Sequence, residues 1–261
     1  MTRNFVGGLV SRAEIHAKNV HVFDRNPSKN LALQNEFDIS IGASASSIVE
    51  NCDVVIISVK PQVLSDAVSP LKTVFSQHQP LTISLAAGTT LQTLEALIGS
   101  DTAIVRAMPN MAALIGLGAT GLLANARVNE VQRNQAQFIA DSVGISTWVK
   151  DDAGIDSITA LSGSGPAYFM LFIDYLAQSA QRNGIDEKDS LRFAIQTALG
   201  AANSIQQSDG SIDELIDSIC SKGGTTEQAI MQLKNDKLND VVSRAFNAAK
   251  RRSQELANAP F

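Results

Sequence analysis

The sequence predicts an α/β chain, with a largely parallel, doubly wound sheet first and an all-helical part after it. Three observations carry the prediction. Short continuous apolar runs alternate with helical stretches over residues 1–150, as strands buried on both faces of a sheet require. The strand signal stops at "KDDAG" (150–154). Beyond it, apolar residues recur at the helical period and no strand pattern returns.

The elements follow in order. "MTRNFVGGLV" reads as a helix containing two adjacent glycines, Gly7 and Gly8, and "NVHVFDRN" as a strand ending in a charged turn. These read as the second and third pieces of a βαβ unit, whose first strand is expected to be missing from the sequence. "DVVIISV" (53–59), "PLTISL" (80–85), "TAIVRAM" (102–108), "GATGLLA" (118–124) and "GISTWV" (144–149) read as further strands, with helices at "LSDAVSPLKTVFS" and "LQTLEALIG". Residues 166–183 are apolar nearly all round, so this helix is expected to be deeply buried. Leu191, Ala194, Ile195, Ala198, Leu199, Ala202 and Ile205 share one helix face, as do Leu238, Val242, Ala245, Ala249 and Leu256. Faces this broad in so small a helical part predict burial against another subunit, hence a homo-oligomer.

Composition excludes several classes. The 261 residues are 44% apolar and 18% charged, with net charge −5. Nucleic-acid binding needs a cationic surface and is not expected. No apolar run is long enough for a membrane span, and the first residues lack a signal-peptide pattern. Cys52 and Cys220 match no metal spacing, and His16, His21 and His78 form no zinc motif, so no metal is expected. The simplest location is the reducing cytoplasm.

In a doubly wound sheet, ligands bind outside the carboxyl ends of the strands. "SVKPQ" (58–62), "LAAGTT" (85–90) and "RAMPN" (106–110) each follow a predicted strand and turn sharply. Three such turns on one edge predict a cofactor cleft, lined by Val59, Lys60 and Pro61, by Ala86, Ala87 and Gly88, and by Met108, Pro109 and Asn110. After "HVF", Asp24 stands where an acid would bind a ribose 2′-hydroxyl in a Rossmann-like domain. Arg25, Asn26 and Lys29 suit a 2′-phosphate instead, Arg25 through paired hydrogen bonds. Arg and Lys together favour NADP(H), with NAD(H) the alternative.

Two motifs lie in the helical part. In "LSGSGPAYF" (161–169), small residues, Ser162 and Ser164 among them, break one helix and Pro166 starts the next. Free amides there would attract an anion or a carbonyl. In "CSKGGTTEQ" (220–228), Gly223 and Gly224 permit a tight turn, and Thr225 with Gln228 fits a capping box. This helix start is a plausible carboxylate cradle.

"SVKPQ", "SLAAGTT", "VRAMPNMAA", "ALSGSGPAYFM" and "SKGGTTEQAI", in this order, resemble the pyrroline-5-carboxylate reductases. The match runs from Met1 to about residue 257, and the pairing of "LSGSGPAY" with a later "GGTT" is its most specific feature. The resemblance implies a dinucleotide-binding domain over 1–150 and an all-α dimerisation and substrate-binding domain over 151–261, with dimers in some members assembled into decamers. It implies NAD(P)H-dependent reduction of 1-pyrroline-5-carboxylate to L-proline, the last step of proline biosynthesis. By the same analogy, Ser221, Gly223, Gly224, Thr225 and Asp209 serve substrate binding. Thr226 hydrogen-bonds the ring nitrogen as the catalytic residue, and Ser162 and Ser164 join the cofactor side. No catalytic histidine is needed.

The sequence departs from the family at Lys222, where proline is usual, at Met111 and Ala112, which replace Thr and Pro, and at Asp209, where Glu is common. Against the family pattern, Met1 aligns inside the glycine fingerprint, so the first strand and the first two glycines are expected to be absent from this chain. Gly7 and Gly8 would then let the first helix pack closely on the sheet. Two alternatives follow: a cofactor-deficient, non-catalytic homologue, and, more distantly, a β-hydroxyacid dehydrogenase. The latter relies on a lysine early in its helical domain, and "SGSGPAYFMLFIDYL" has none before Lys188.

Overall fold

The structure, a computed structural model, describes residues 1–257. Contacts group the chain into two compact units, one of Met1–Ser164 with the segment from Ala249 onward, the other of Gly165–Ala248. Residues 151–164 and the end of the last helix thus group with the α/β part. Ile155 is fully buried and Ile158 packs over Gly121 in the sheet, which explains the first of these groupings.

The first unit runs α1 (Thr2–Ser11), β1 (His21–Val22), α2 (Pro27–Phe37), β2 (Ser40–Ile41), α3 (Ala45–Asn51), β3 (Val54–Ile57), α4 (Leu64–Val68), α5 (Lys72–His78) and β4 (Leu81–Ser84). It continues through α6 (Leu91–Ile98), β5 (Ile104–Met108), β6 (Gly118–Ala124), α7 (Glu130–Asp141), β7 (Gly144–Trp148) and α8 (Asp152–Ile158). The predicted helix at 64–76 is split by a 3₁₀ turn at Ser69–Leu71, because Pro70 cannot donate to the helical ladder. Local chemistry sets the other starts: Asn26 caps α2 with Pro27 behind it, and Ser44 with Ser47 and Asn129 with Gln132 form capping boxes for α3 and α7.

The strands form two sheets rather than one continuous sheet. β1 and β2 pair in parallel, and β3-β4-β5-β6-β7 make a five-stranded sheet. All its pairs are parallel except β5–β6. Alternation along the strands feeds two cores. Phe5, Ile83, Val105, Ala107, Leu122, Ile139 and Val143 share one, and Val55, Ile57, Leu64, Phe75, Leu94 and Ile104 the other.

The opening glycines do allow close packing of α1, but not against the sheet as expected. A Cβ on Gly8 would lie 2.7 Å from the Ser142 carbonyl and from Val143 Cγ1, and one on Gly7 would lie 3.2 Å from Phe37 Cε1. Their neighbours are the turn between α7 and β7 and helix α2 rather than a strand. Gly8→Ala is expected to cost about 1–3 kcal/mol through overpacking, read as a lower midpoint in thermal unfolding followed by Trp148 fluorescence.

The second unit holds α9 (Gly165–Arg182), α10 (Glu187–Gln207), α11 (Ile212–Ile219), α12 (Thr225–Asn235) and the start of α13 (Leu238–Ala257). α9 and α10 pack as a hairpin, with Ala177 and Ala194 buried. The expectation that residues 166–183 are deeply buried fails in the single chain. Phe169 is 72% exposed, and Met170, Leu171, Phe172 and Tyr175 are exposed with it. An all-round apolar helix is covered only where a partner surface exists, and within its unit α9 has one on the α10 side.

Candidate active site

The predicted turns after β3, β4 and β5 are in place in the first unit. Beyond β3, Ser58 Oγ hydrogen-bonds Thr2 Oγ1 at 2.7 Å, joining this turn to the start of α1. Val59 is half-buried, Lys60 is exposed, and Pro61 opens a 3₁₀ turn. Beyond β4, Ala86 is buried and its amide donates to Ser84 Oγ, while Ala87 is exposed. Gly88 has φ +69°, a left-handed conformation that favours glycine. Beside it Thr89 is fully buried, with a hydroxyl that has no hydrogen-bond partner among the described residues. Such an orphan in a buried turn is costly unless a ligand completes it.

The turn after β5 meets the "LSGSG" segment directly. Asn110 is buried; its Nδ2 donates to the Ser162 carbonyl at 3.0 Å, and its Oδ1 accepts from the Ala119 amide at 3.3 Å. A Cβ on Gly163 would lie 3.0 Å from Met108 Cε, and Pro109 is buried between. The predicted helix break with free amides is not what forms. Thr159–Gly163 is a π turn, the Ser164 amide donates to the Thr159 carbonyl at 2.8 Å, and α9 starts at Gly165 with Pro166 second. The small residues let the chain widen by one residue per turn instead of stopping, and such π turns recur at functional sites. Ser162 Oγ is also used internally, donating to the Ile158 and Ala119 carbonyls. Met111 and Ala112, the family departures, open a 3₁₀ turn at Met111–Ile115 and leave Asn110 held on both sides.

At the end of β1, Asp24 Oδ1 accepts from the Asn26 amide at 2.8 Å and Oδ2 pairs with Lys29 Nζ at 3.2 Å. Burial pushes this carboxyl up, but the Asn26 amide, Lys29 and Arg25 together hold it below the usual carboxylate range. Asp24 is therefore engaged with its own turn, while Arg25 remains exposed. Asn30, buried, fastens that turn through both ends of its amide group to the Asp24 backbone, at 2.7 and 2.9 Å. Asn30 was not anticipated, although an asparagine inside a helix that follows a charged turn is the signal that marks it.

The second unit carries the other predicted cluster. The Gly224 amide donates to the Ser221 carbonyl at 2.8 Å and Gly223 has φ +73°, closing a tight turn. Lys222, exposed, occupies the second position that proline usually favours, and the turn closes without it. The predicted capping box does not form. Gly224 is the N-cap, and no side chain caps α12. Gly224 takes the extended conformation, so Thr225 and Thr226 become the first two helical residues, and Glu227 reaches back to the Gly223 amide at 2.6 Å. First-turn amides lack intrahelical acceptors, so this end of α12 offers N–H donors beside the half-buried Thr226. Asp209 lies exposed between α10 and α11.

One buried charge escaped the sequence reading. Arg106, 2% exposed on β5, donates from Nη1 to Asp152 Oδ1 at 2.5 Å, and the same oxygen accepts from the Leu91 amide at 3.4 Å. An arginine inside the apolar run "TAIVRAM" was its signal. The pair ties β5 to the starts of α6 and α8.

Comparison with known proteins fits this arrangement. A family model described as NADP oxidoreductase, coenzyme F420-dependent, matches residues 1–88, and one described as pyrroline-5-carboxylate reductase dimerisation matches residues 152–256. An α/β unit with strand-end turns, joined to a helical dimerisation segment, defines a two-part, dinucleotide-dependent oxidoreductase. A pyrroline-5-carboxylate reductase of Pseudomonas aeruginosa is 37% identical over 98% of this chain and 93% of its own length. The structure of a pyrroline-5-carboxylate reductase from Coxiella burnetii superposes with a TM-score of 0.95 at 35% identity, covering 99% of this chain and 95% of that one. That of a Plasmodium falciparum pyrroline carboxylate reductase with NADP bound gives 0.80 at 27% identity, over 98% and 94%. The chain belongs to the pyrroline-5-carboxylate reductase family.

Proposed function

We propose that the chain reduces 1-pyrroline-5-carboxylate to L-proline, with NADPH as the preferred cofactor. The observation that carries the reading is the turn at Ser221–Gly224 opening α12, beyond which the first-turn amides lack intrahelical acceptors and the Thr226 hydroxyl stands at the same helix end. A small cyclic imine bearing a carboxylate matches those donors. In this reading Ser221, Gly223, Gly224 and Thr225 hold the carboxylate with Asp209 nearby. Glu227 yields the Gly223 amide to the substrate.

Gly88 takes the left-handed conformation that turns the chain sharply after β4, and beside it the buried Thr89 hydroxyl has no hydrogen-bond partner among the described residues. The cations Arg25 and Lys29 with Asn26 form a donor set for a 2′-phosphate. These features fit a phosphorylated dinucleotide. Val59, Lys60, Pro61, Ala86, Ala87 and Gly88 would line its path, and Met108, Pro109, Asn110, Ser162 and Ser164 its reacting end. When bound, NADPH supplies a hydride for the imine carbon. Thr226 donates a hydrogen bond to the ring nitrogen, where the proton must arrive, which makes the adjacent carbon more electrophilic. The amides of α12 orient the ring.

We further infer a homodimer through the helical unit, with a decamer as its higher assembly. The exposed apolar face of α9 supports this, as does an apolar groove of about 760 Å³ lined by Ile216, Ile230, Leu233, Leu238, Val242 and Phe246. Among the described residues no helix is long and apolar enough to cross a membrane. The free thiols of Cys52 and Cys220 support a cytoplasmic location. Titration of the purified chain with NADPH, followed by nicotinamide fluorescence, tests the reading. Saturable binding, tighter than for NADH, is expected. Absence of binding would favour the non-catalytic homologue.

A further inference from the structure

The last turns of α13 bear on the turn after β4. Ser253 is 5% exposed, and its hydroxyl donates to Asp156 Oδ1 at 2.6 Å. Asp156, on α8, is also 5% exposed. One turn further along α13, Leu256 lies over Gly88: a Cβ placed on that glycine would be 3.4 Å from Leu256 Cβ and 3.6 Å from its carbonyl carbon. The family model that matches this region is a dimerisation model running to residue 256, yet the segment from Ala249 onward groups with the α/β unit.

A buried carboxylate is expensive unless it is hydrogen-bonded. Ser253 supplies a short, charge-assisted bond of the strong kind, and so fixes where the end of α13 sits. That position places a half-exposed leucine against the one residue of the Ala86–Gly88 turn held in a left-handed conformation. Thr89, with its orphan hydroxyl, is the next residue. The contact therefore limits how far the turn can move.

We propose that Asp156 and Ser253 are positioning residues that latch the end of α13, so that Leu256 holds the Ala86–Gly88 turn in the shape that receives the cofactor. This rests on the reading of that turn as part of the NADPH site. The latch acts on cofactor affinity rather than on the imine, because Leu256 bears on Gly88, in the turn read as cofactor-binding.

The test measures NADPH dissociation constants and thermal midpoints for the full chain and for Leu256→Ala, Ser253→Ala, Asp156→Ala and Asp156→Asn. Leu256→Ala removes an exposed side chain and is expected to weaken NADPH binding about tenfold with little change in midpoint. Ser253→Ala and Asp156→Ala are expected to weaken binding to a similar degree and to lower the midpoint as well. Asp156→Asn keeps an acceptor for the Ser253 hydroxyl and should recover most of the affinity. The KM for the imine at saturating NADPH should stay within about twofold of the unaltered value. Dissociation constants unchanged in Leu256→Ala and Ser253→Ala, even with lowered midpoints, would leave the contact merely structural and overturn the latch. Failure of the unaltered chain to bind NADPH is a separate outcome, which would overturn the cofactor reading and the latch with it.

Discussion

Replacing Thr226 by alanine is expected to lower kcat about 100-fold, the scale of a lost positioned proton or hydrogen-bond donor, and to leave NADPH affinity unchanged. Thr226 is the second residue of α12, where the turn at Ser221–Gly224 ends and the helix begins. Its hydroxyl is the one side-chain donor proposed for the imine nitrogen, whereas the residues proposed for the cofactor all lie in the other compact unit. Alanine is the better helix former, so lost activity cannot come from a frayed helix. Thr226→Ser, which keeps the hydroxyl, should recover most of the rate. Steady-state kinetics together with NADPH titration check this. Equal kcat in Thr226→Ala would remove the residue from the mechanism.

The second large effect concerns stability. Asp152→Ala strands the Arg106 guanidinium, 2% exposed, without its carboxylate. Breaking a buried pair from one side typically costs about 3–5 kcal/mol. The α6 start also loses the acceptor of its Leu91 amide. Arg106→Met should cost less, because the Asp152 side chain is 37% exposed and can turn to solvent. The double variant should recover much of the loss, since a buried charge no longer lacks a partner. Urea unfolding followed through Trp148, which lies on β7 shortly before Asp152, reports the difference. A larger loss in Arg106→Met than in Asp152→Ala would contradict this ordering.

The strands β3 to β7 were legible because each is a short apolar run buried on both faces. What was not legible was direction. β6 runs antiparallel to β5 because only a 3₁₀ turn at Met111–Ile115 joins them, and a parallel return needs a longer crossover. The connection was short enough in the sequence to have signalled this. The helix at 166–183 was read as buried because it is apolar nearly all round, a pattern that does not say whether its cover comes from this chain or from a partner. At the site, Gly88, Asn110 and Gly223 were legible because sharp turns demand particular residues. The capping residue of α12 was misplaced, since Thr225 and Gly224 both suit a helix start and the tight turn chose the glycine. Arg106 with Asp152 and Asp156 with Ser253 lie 46 and 97 residues apart in the chain. Local patterning carries no such pairing, because the partners meet only once the sheet and α8 have packed.

This chain, whose strands form two sheets, is expected to carry out imine reduction with a dinucleotide. The most direct measurement is the amount of L-proline formed against NADPH oxidised when the purified chain is given 1-pyrroline-5-carboxylate. The account predicts equal amounts, saturation in both reactants and loss of turnover in Thr226→Ala. A chain that binds NADPH yet forms no proline from the imine would contradict it.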